Sequence, residues 1–139
     1  MDTLKSISHL SSKRRYRGLE LVESAIILPL IILVLFGIFE YGFMFFQQEQ
    51  ITNIARETAR VAATPAGSTT YQDTFSTLKS QAGSLYNNLS ITDQSNVGGS
   101  AGSLLTITVS EPYKALTGTS LIPLPKTLSA TVSMMNEGP

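Results

Sequence analysis

Residues 17–46 read RGLELVESAIILPLIILVLFGIFEYGFMFF, and the fold turns on how this stretch is understood. Its centre, residues 24–39, is sixteen residues without a charge. Sixteen helical residues reach about 24 Å, short of a hydrocarbon core of about 30 Å. Glu40 interrupts the run and YGFMFF (41–46) continues it, which brings the stretch to 23 residues and makes a membrane span. Tyr41, Phe43, Phe45 and Phe46 suit an aromatic belt at the far interface. The cluster KRRYR (13–17) lies just before the span. The positive-inside rule keeps that cluster in the cytoplasm and exports the C-terminal part.

The chain of 139 residues has no net charge, yet its charge is unevenly spread. Residues 1–18 carry five cations against Asp2, a net of +4, and the remainder carries −4. Cysteine is absent, which excludes disulfides, thiol catalysis and Cys-based metal sites. His9 is the single histidine, so triads and dyads that need one are not expected. No cofactor is expected. A nucleic-acid role for KRRYR does not fit, because the patch is short and the rest of the chain is acidic.

A cleaved secretory signal would close its apolar run with a small-x-small site. Here the run ends in FEYGFMFFQQEQ (39–50), large and polar residues unsuited to that site. The segment is therefore retained as an anchor or cut on its N-terminal side. On that side the order is Arg17-Gly18-Leu19-Glu20-Leu21-Val22-Glu23-Ser24. A carboxylate at a membrane edge is expensive unless it is paired.

Glycine followed by an acid five residues later resembles the prepilin peptidase site of type IV pilin-like proteins. That resemblance implies a cut between Gly18 and Leu19, with Glu23 facing the freed amine of a neighbouring subunit and fixing axial register. Ser24 departs from the pattern, which commonly has Phe or Tyr after the acid. Residues 17–63 are more specifically similar to the TadE-like family of the tight adherence pilus. They combine Arg-Gly before an acid, an apolar run with internal Pro29, Gly-Ile-x-Glu-aromatic-Gly around Glu40, and ARETAR (55–60). TITVSEPY (106–113), residues 121–125 and SMMNE (133–137) resemble the family more loosely. The resemblance implies a pseudopilin or minor pilin rather than an enzyme. Its implied partners are prepilin peptidase, other minor pilins or pseudopilins, the major Flp pilin, an inner-membrane assembly platform with an ATPase, and membrane lipid. The roles expected of such a pilus are adhesion, secretion and biofilm formation.

Beyond the span, Ile51, Ile54, Ala55, Ala59 and Ala62 recur at helical spacing. One helix over about residues 19–63 is expected, softened at Pro29 and Gly37 and stopped by Pro65 and Gly67. Arg56 and Arg60 share a face, read either as a solvated stripe or as a contact for an acidic groove on a partner. Intramembrane Glu40 is a functional candidate, with interfacial snorkelling as the plainer alternative.

Residues 64–70 read as a linker and 71–89 as a helix with Phe75, Leu78, Ala82, Leu85, Tyr86 and Leu89 on one face. Gly83 weakens that pattern, while Thr70 and Asp73 suit a capping-box start. Residues 93–103 read as a Gly/Ser-rich loop and 117–125 as a second loop with two prolines. Leu105, Ile107 and Val109 alternate with polar residues, as do Leu128, Ala130, Val132 and Met134, predicting two strands. The expected class is α+β: a long N-terminal helix, a small second helix and a short antiparallel sheet. The expected divisions are a leader (1–18), the helix (19–63) and an exported domain (64–139). Its 76 residues form a marginal core, so stability is expected to come from the long helix or from partners.

Three motifs tempt. Ser76-x-x-Lys79 matches a hydrolase signature, but the S-D-N and K-T-G elements do not follow. Residues 98–102 (GGSAG) resemble a phosphate loop without its Lys-Ser/Thr. Residues 88–90 (NLS) form a glycosylation sequon with no meaning in a bacterium. The competing functions are a processed pseudopilin, an uncleaved single-pass scaffold for the export machinery, and a tethered enzyme or binding protein. The first accounts for most of the residues.

Overall fold

The computed structural model describes residues 3–65, 67–116 and 123–137. In chain order they form α1 (Thr3–Ala62), α2 (Gly67–Ala82), a 3-10 turn (Ser84–Tyr86), β1 (Ser90–Ser95), β2 (Leu104–Pro112) and β3 (Thr127–Met135). The class is α+β and pilin-like. The chain divides into two compact units, Met1–Phe39 and Glu40–Pro139.

The first unit is helix alone. α1 is continuous through Pro29, which removes the amide that Ala25's carbonyl would otherwise accept from. The large apolar residues from Leu19 to Phe39 are exposed on every face. A helix apolar all round requires an apolar surrounding, and the stretch is long and apolar enough to cross a membrane. The helix begins at Thr3, earlier than residue 19, so the basic head shares the helical backbone.

The second unit holds the core. Ile51, Ile54, Ala55, Ala59 and Ala62 form a buried stripe along the last turns of α1. Leu105, Ile107 and Val109 of β2 and Leu128 and Ala130 of β3 meet that stripe, together with Tyr71, Tyr86 and Leu89. The alanines keep the helix surface low along that stripe. Full burial of one Ile or Leu contributes about 1.5–3 kcal/mol. Because α1 supplies much of this core, the 64–139 region does not build it alone. The helix ends where Ala63 donates to Ala59 and Thr64 to Val61, just before Pro65.

The sheet order is β1-β2-β3, all antiparallel. Leu105 pairs with Met134, Ile107 with Val132 and Val109 with Ala130. On the outer face, hydroxyl pairs Thr106–Ser133 and Thr108–Thr131 meet at 3.0 Å. Both predicted strands are present. A third, β1, lies partly where the loop was expected, and the loop shortens to residues 96–103. The reason is a bulge between Ile91 and Asp93, which puts Ile91 and Gln94 on one face and breaks the two-residue period. In the following turn Gly98 and Gly102 take φ of 69° and 80°, conformations that suit glycine.

Two further expectations shift. α2 starts at Gly67, so the linker is shorter than residues 64–70, and Thr70 and Asp73 lie inside the helix instead of capping it. α2 also ends at Ala82 instead of reaching residue 89, because Gly83 turns to φ 91°. Leu85 is consequently exposed while Tyr86 and Leu89 remain buried. Of the expected loop at 117–125, residues 117–122 lie outside the described residues.

Candidate functional site

The residues singled out by sequence fall in both units. Gly18, Leu19, Glu23 and Pro29 belong to the first. Gly18 is exposed, and a Cβ added there would meet open space. The Gly18–Leu19 peptide lies within α1, so a protease must first unwind that turn. Glycine lowers the cost of unwinding by about 1 kcal/mol relative to alanine. Glu23 is exposed, and Ser24 donates to the Glu20 carbonyl at 2.9 Å. The hydroxyl at the position after the acid is thus used within the helix.

Glu40 opens the second unit and is fully buried. It neither points to solvent nor snorkels. The Tyr113 hydroxyl donates to Glu40 Oε1 at 2.8 Å, and the Leu116 amide donates to the same oxygen at 2.7 Å. Pro112 ends β2, and the chain then turns so that Tyr113 and Leu116 reach α1. The Tyr113 amide donates to the Lys126 carbonyl at 2.9 Å, closing the base of this loop. One residue after Glu40, Tyr41 donates to the Pro123 carbonyl at 3.1 Å. Further along, Gln48 donates to the Ser129 carbonyl at 2.8 Å. Burial, the hydrogen bond to Glu40 and the charge of Glu40 together push the Tyr113 hydroxyl up to about 12, so it remains a donor across the physiological range. The sequence marked Glu40 but not its partners. The only local signal for them was an aromatic with a polar tip directly after a strand-ending proline.

Arg56 and Arg60 are both exposed on α1. Arg60 forms a two-pronged pair with Glu57, at 2.9 Å from Nε and 2.6 Å from an Nη nitrogen. Such an exposed pair is a weak source of stability. The tempting motifs are occupied by structural work. Ser76 donates to the Asp73 carbonyl and Lys79 to the Leu89 carbonyl, so the two side chains serve different backbone groups. In the glycine-rich turn, Asn136 donates to the Asn96 carbonyl and to Ser103 Oγ, tying the end of β3 to the β1–β2 hairpin.

A buried polar pair was not foreseen. Glu111 of β2 and Tyr86 lie among the core residues, and Glu111 Oε2 and the Tyr86 hydroxyl lack hydrogen-bond partners. Burial pushes the Glu111 carboxyl up, against the pull of the Asn88 backbone amide and of Lys79 and Lys114. Burial, and then Glu111, push the Tyr86 hydroxyl up. An open groove of about 640 Å³ lies between α2 and β1, lined by Gln72, Phe75, Leu89 and residues 90–94.

Residues 18–60 match the model of the TadE-like protein family, and in this segment the chain is similar to that family. The matched segment holds Gly18, Glu23, Pro29, Glu40, Arg56 and Arg60, and it ends two residues before α1 does. No curated protein and no solved structure matches the chain.

Proposed function

We propose that the protein is a TadE-like pseudopilin, a minor pilin that serves assembly, priming or tip formation of a Tad/Flp type IV pilus. The observation that carries this reading is a division of the helix within the matched segment. The family match covers residues 18–60 of α1, and inside it an apolar half exposed all round gives way to a half with one buried stripe. A subunit that waits in a membrane and then packs in a filament needs that division. One half must accept either lipid or neighbouring helices, and the other must carry a folded domain.

In this reading the chain starts in the inner membrane, with its basic head in the cytoplasm and its sheet domain on the periplasmic side. Prepilin peptidase cuts between Gly18 and Leu19. Glu23, five residues into the mature chain, sets axial register against the amine of a neighbour. Its carboxylate is costly in an apolar filament core unless so paired, which is the driving force for register. The assembly platform, other minor pilins and the major Flp pilin are the partners, and Arg56 and exposed parts of the domain make side or tip contacts. No catalytic step is assigned to the chain.

The test is the intact mass and N-terminal sequence of the protein from cells with and without prepilin peptidase. The expected result is a mature form starting at Leu19 only where the peptidase is present. An uncut chain in both strains would move the assignment to a permanent membrane scaffold and remove the special role of Glu23.

A further inference from the structure

We infer that Lys79 and Glu111 form a proton-controlled latch at the joint between α2 and the sheet. Lys79 holds the Leu89 carbonyl while Glu111 is neutral, and it moves to Glu111 Oε2 when that carboxyl ionises. All the groups involved belong to the unit Glu40–Pro139. The starting point is a mismatch between donors and acceptors. Glu111 is 3% exposed, and its Oε2 has no hydrogen-bond partner. The Tyr86 hydroxyl, equally buried, has none either. An ammonium close by is used elsewhere, since half-buried Lys79 donates to the Leu89 carbonyl at 2.8 Å. Leu89 follows Asn88, whose backbone amide faces the Glu111 carboxyl. The acceptor that Lys79 uses and the acceptor left unpaired are therefore served by adjacent residues of one short turn.

A neutral acid tolerates this arrangement. A carboxylate does not, because an unpaired charge away from water costs far more than an unpaired hydroxyl. Burial pushes the Glu111 carboxyl up, so the neutral form persists above the ordinary carboxylate range. Once the proton leaves for solvent, the carboxylate needs a cation. Lys79 faces it from α2, Lys114 from the loop after β2, and the Tyr86 hydroxyl from the 3-10 turn. On β3 its register partner is uncharged Leu128, and the stripe of α1 that meets the sheet is apolar. Buried Glu40 on α1 is already engaged by Tyr113 and Leu116. Of the two lysines, Lys114 is exposed and screened by water, whereas Lys79 is half-buried and exerts the stronger pull on Glu111. The joint permits the exchange. Gly83 follows α2 at φ 91° with open space around it, so the end of α2 can shift as Lys79 changes partner. Leu89 also lines the groove between α2 and β1, so its release alters that groove in step with pH.

The test uses the full-length chain in detergent, isotopically labelled at lysine side chains and glutamate carboxyls and followed by NMR from acidic to mildly alkaline pH. Glu111→Gln and Lys79→Arg assign the two signals. The expected result is a Glu111 midpoint above those of the exposed glutamates. Over the same interval the Overhauser contacts of the Lys79 terminal methylene pass from Leu89 to Glu111. In Glu111→Gln that passage is lost, and the Leu89 contacts persist at every pH. In Lys79→Met the Glu111 midpoint rises further, because the ionised form has lost its cation. Lys79 contacts that stay with Leu89 on both sides of the Glu111 midpoint overturn the latch, since they reduce Lys79 to a fixed tether. A Glu111 midpoint within the ordinary carboxylate range overturns it as well. If Lys79→Met does not fold, the comparison of the unsubstituted chain with Glu111→Gln decides alone.

Discussion

The two halves of α1 obey the same backbone rules and meet opposite surroundings. In residues 24–39 each turn carries branched or aromatic side chains around its whole circumference, and those large side chains are exposed. In residues 47–62 the apolar residues are confined to one stripe and shrink toward alanine, and that stripe is buried. The first half asks only for an apolar medium and does not specify a partner. The second half specifies one, because Ala55 and Ala59 leave room for one closely fitting sheet. Continuity of a helix therefore says little about what each part of it does. The size and distribution of side chains around the axis say more.

Substitutions sharpen that contrast. Ile51→Ala opens a cavity where the helix meets β2 and should cost about 2–5 kcal/mol. Ile31→Ala, in the exposed half, should leave the unfolding of the sheet domain unchanged. Denaturant titration in mild detergent, followed by the near-ultraviolet signal of the buried Tyr71 and Tyr86, measures both. Equal effects would break the division of the helix into two halves.

Glu40 stands at the boundary, and its replacement tests whether the boundary is built. Glu40→Ala strands the Tyr113 hydroxyl and the Leu116 amide, at a cost of about 2 kcal/mol for hydrogen bonds to a charged group. Glu40→Gln retains an acceptor and should cost less. Protease sensitivity of the loop should rise with Glu40→Ala, and an unchanged cleavage rate would deny the clamp its holding role.

Glu111→Gln should act in the opposite direction. The Glu111 carboxyl is pushed up by burial, so the folded chain holds its proton more tightly than the unfolded chain does. Ionisation therefore destabilises the fold as pH rises past the ordinary carboxylate range. Glutamine removes that charge and should raise stability at neutral pH. The gain should shrink as pH falls below the ordinary carboxylate range, where glutamate becomes neutral in both states. Thermal melts at the two pH values decide it.

The smallest effect is expected at Tyr113. Its hydroxyl titrates at about 12 in the fold against 10.0 for the ordinary group. The unfolded chain loses this proton first, so the contribution is complete below pH 10 and is lost as pH rises toward 12. The stability difference between the native chain and Tyr113→Phe should narrow over that window. A constant difference would mean that the hydrogen bond to Glu40 is not what Tyr113 contributes.

Much of this molecule was legible in one dimension because its strongest signals are local. A charge-free run, a basic cluster beside it, a 3.6-residue stripe and two alternating strands each depend on neighbours in sequence. The acid five residues after Gly18 was readable for the same reason, as was the oddity of Glu40 within an apolar run. β1 was not readable, since its bulge erases the two-residue period. The end of α2 depended on Gly83 adopting a positive φ, which a sequence permits without requiring.

By itself, then, the sequence determined the long helix, its two chemical halves, the presence of an antiparallel sheet and the likeness of segment 18–60 to the TadE-like family. Only the tertiary structure decided what Glu40 touches. Tyr113 and Leu116 stand more than seventy residues away from it. Such a pairing is selected by which loop the sheet delivers to the helix, and no local preference encodes it. The same holds for Glu111 and Tyr86, whose burial follows from the packing of β2 against α1 and the 3-10 turn. Periodicity assigns a residue to a face, and only the closing of that face against another shows which polar groups are shut inside.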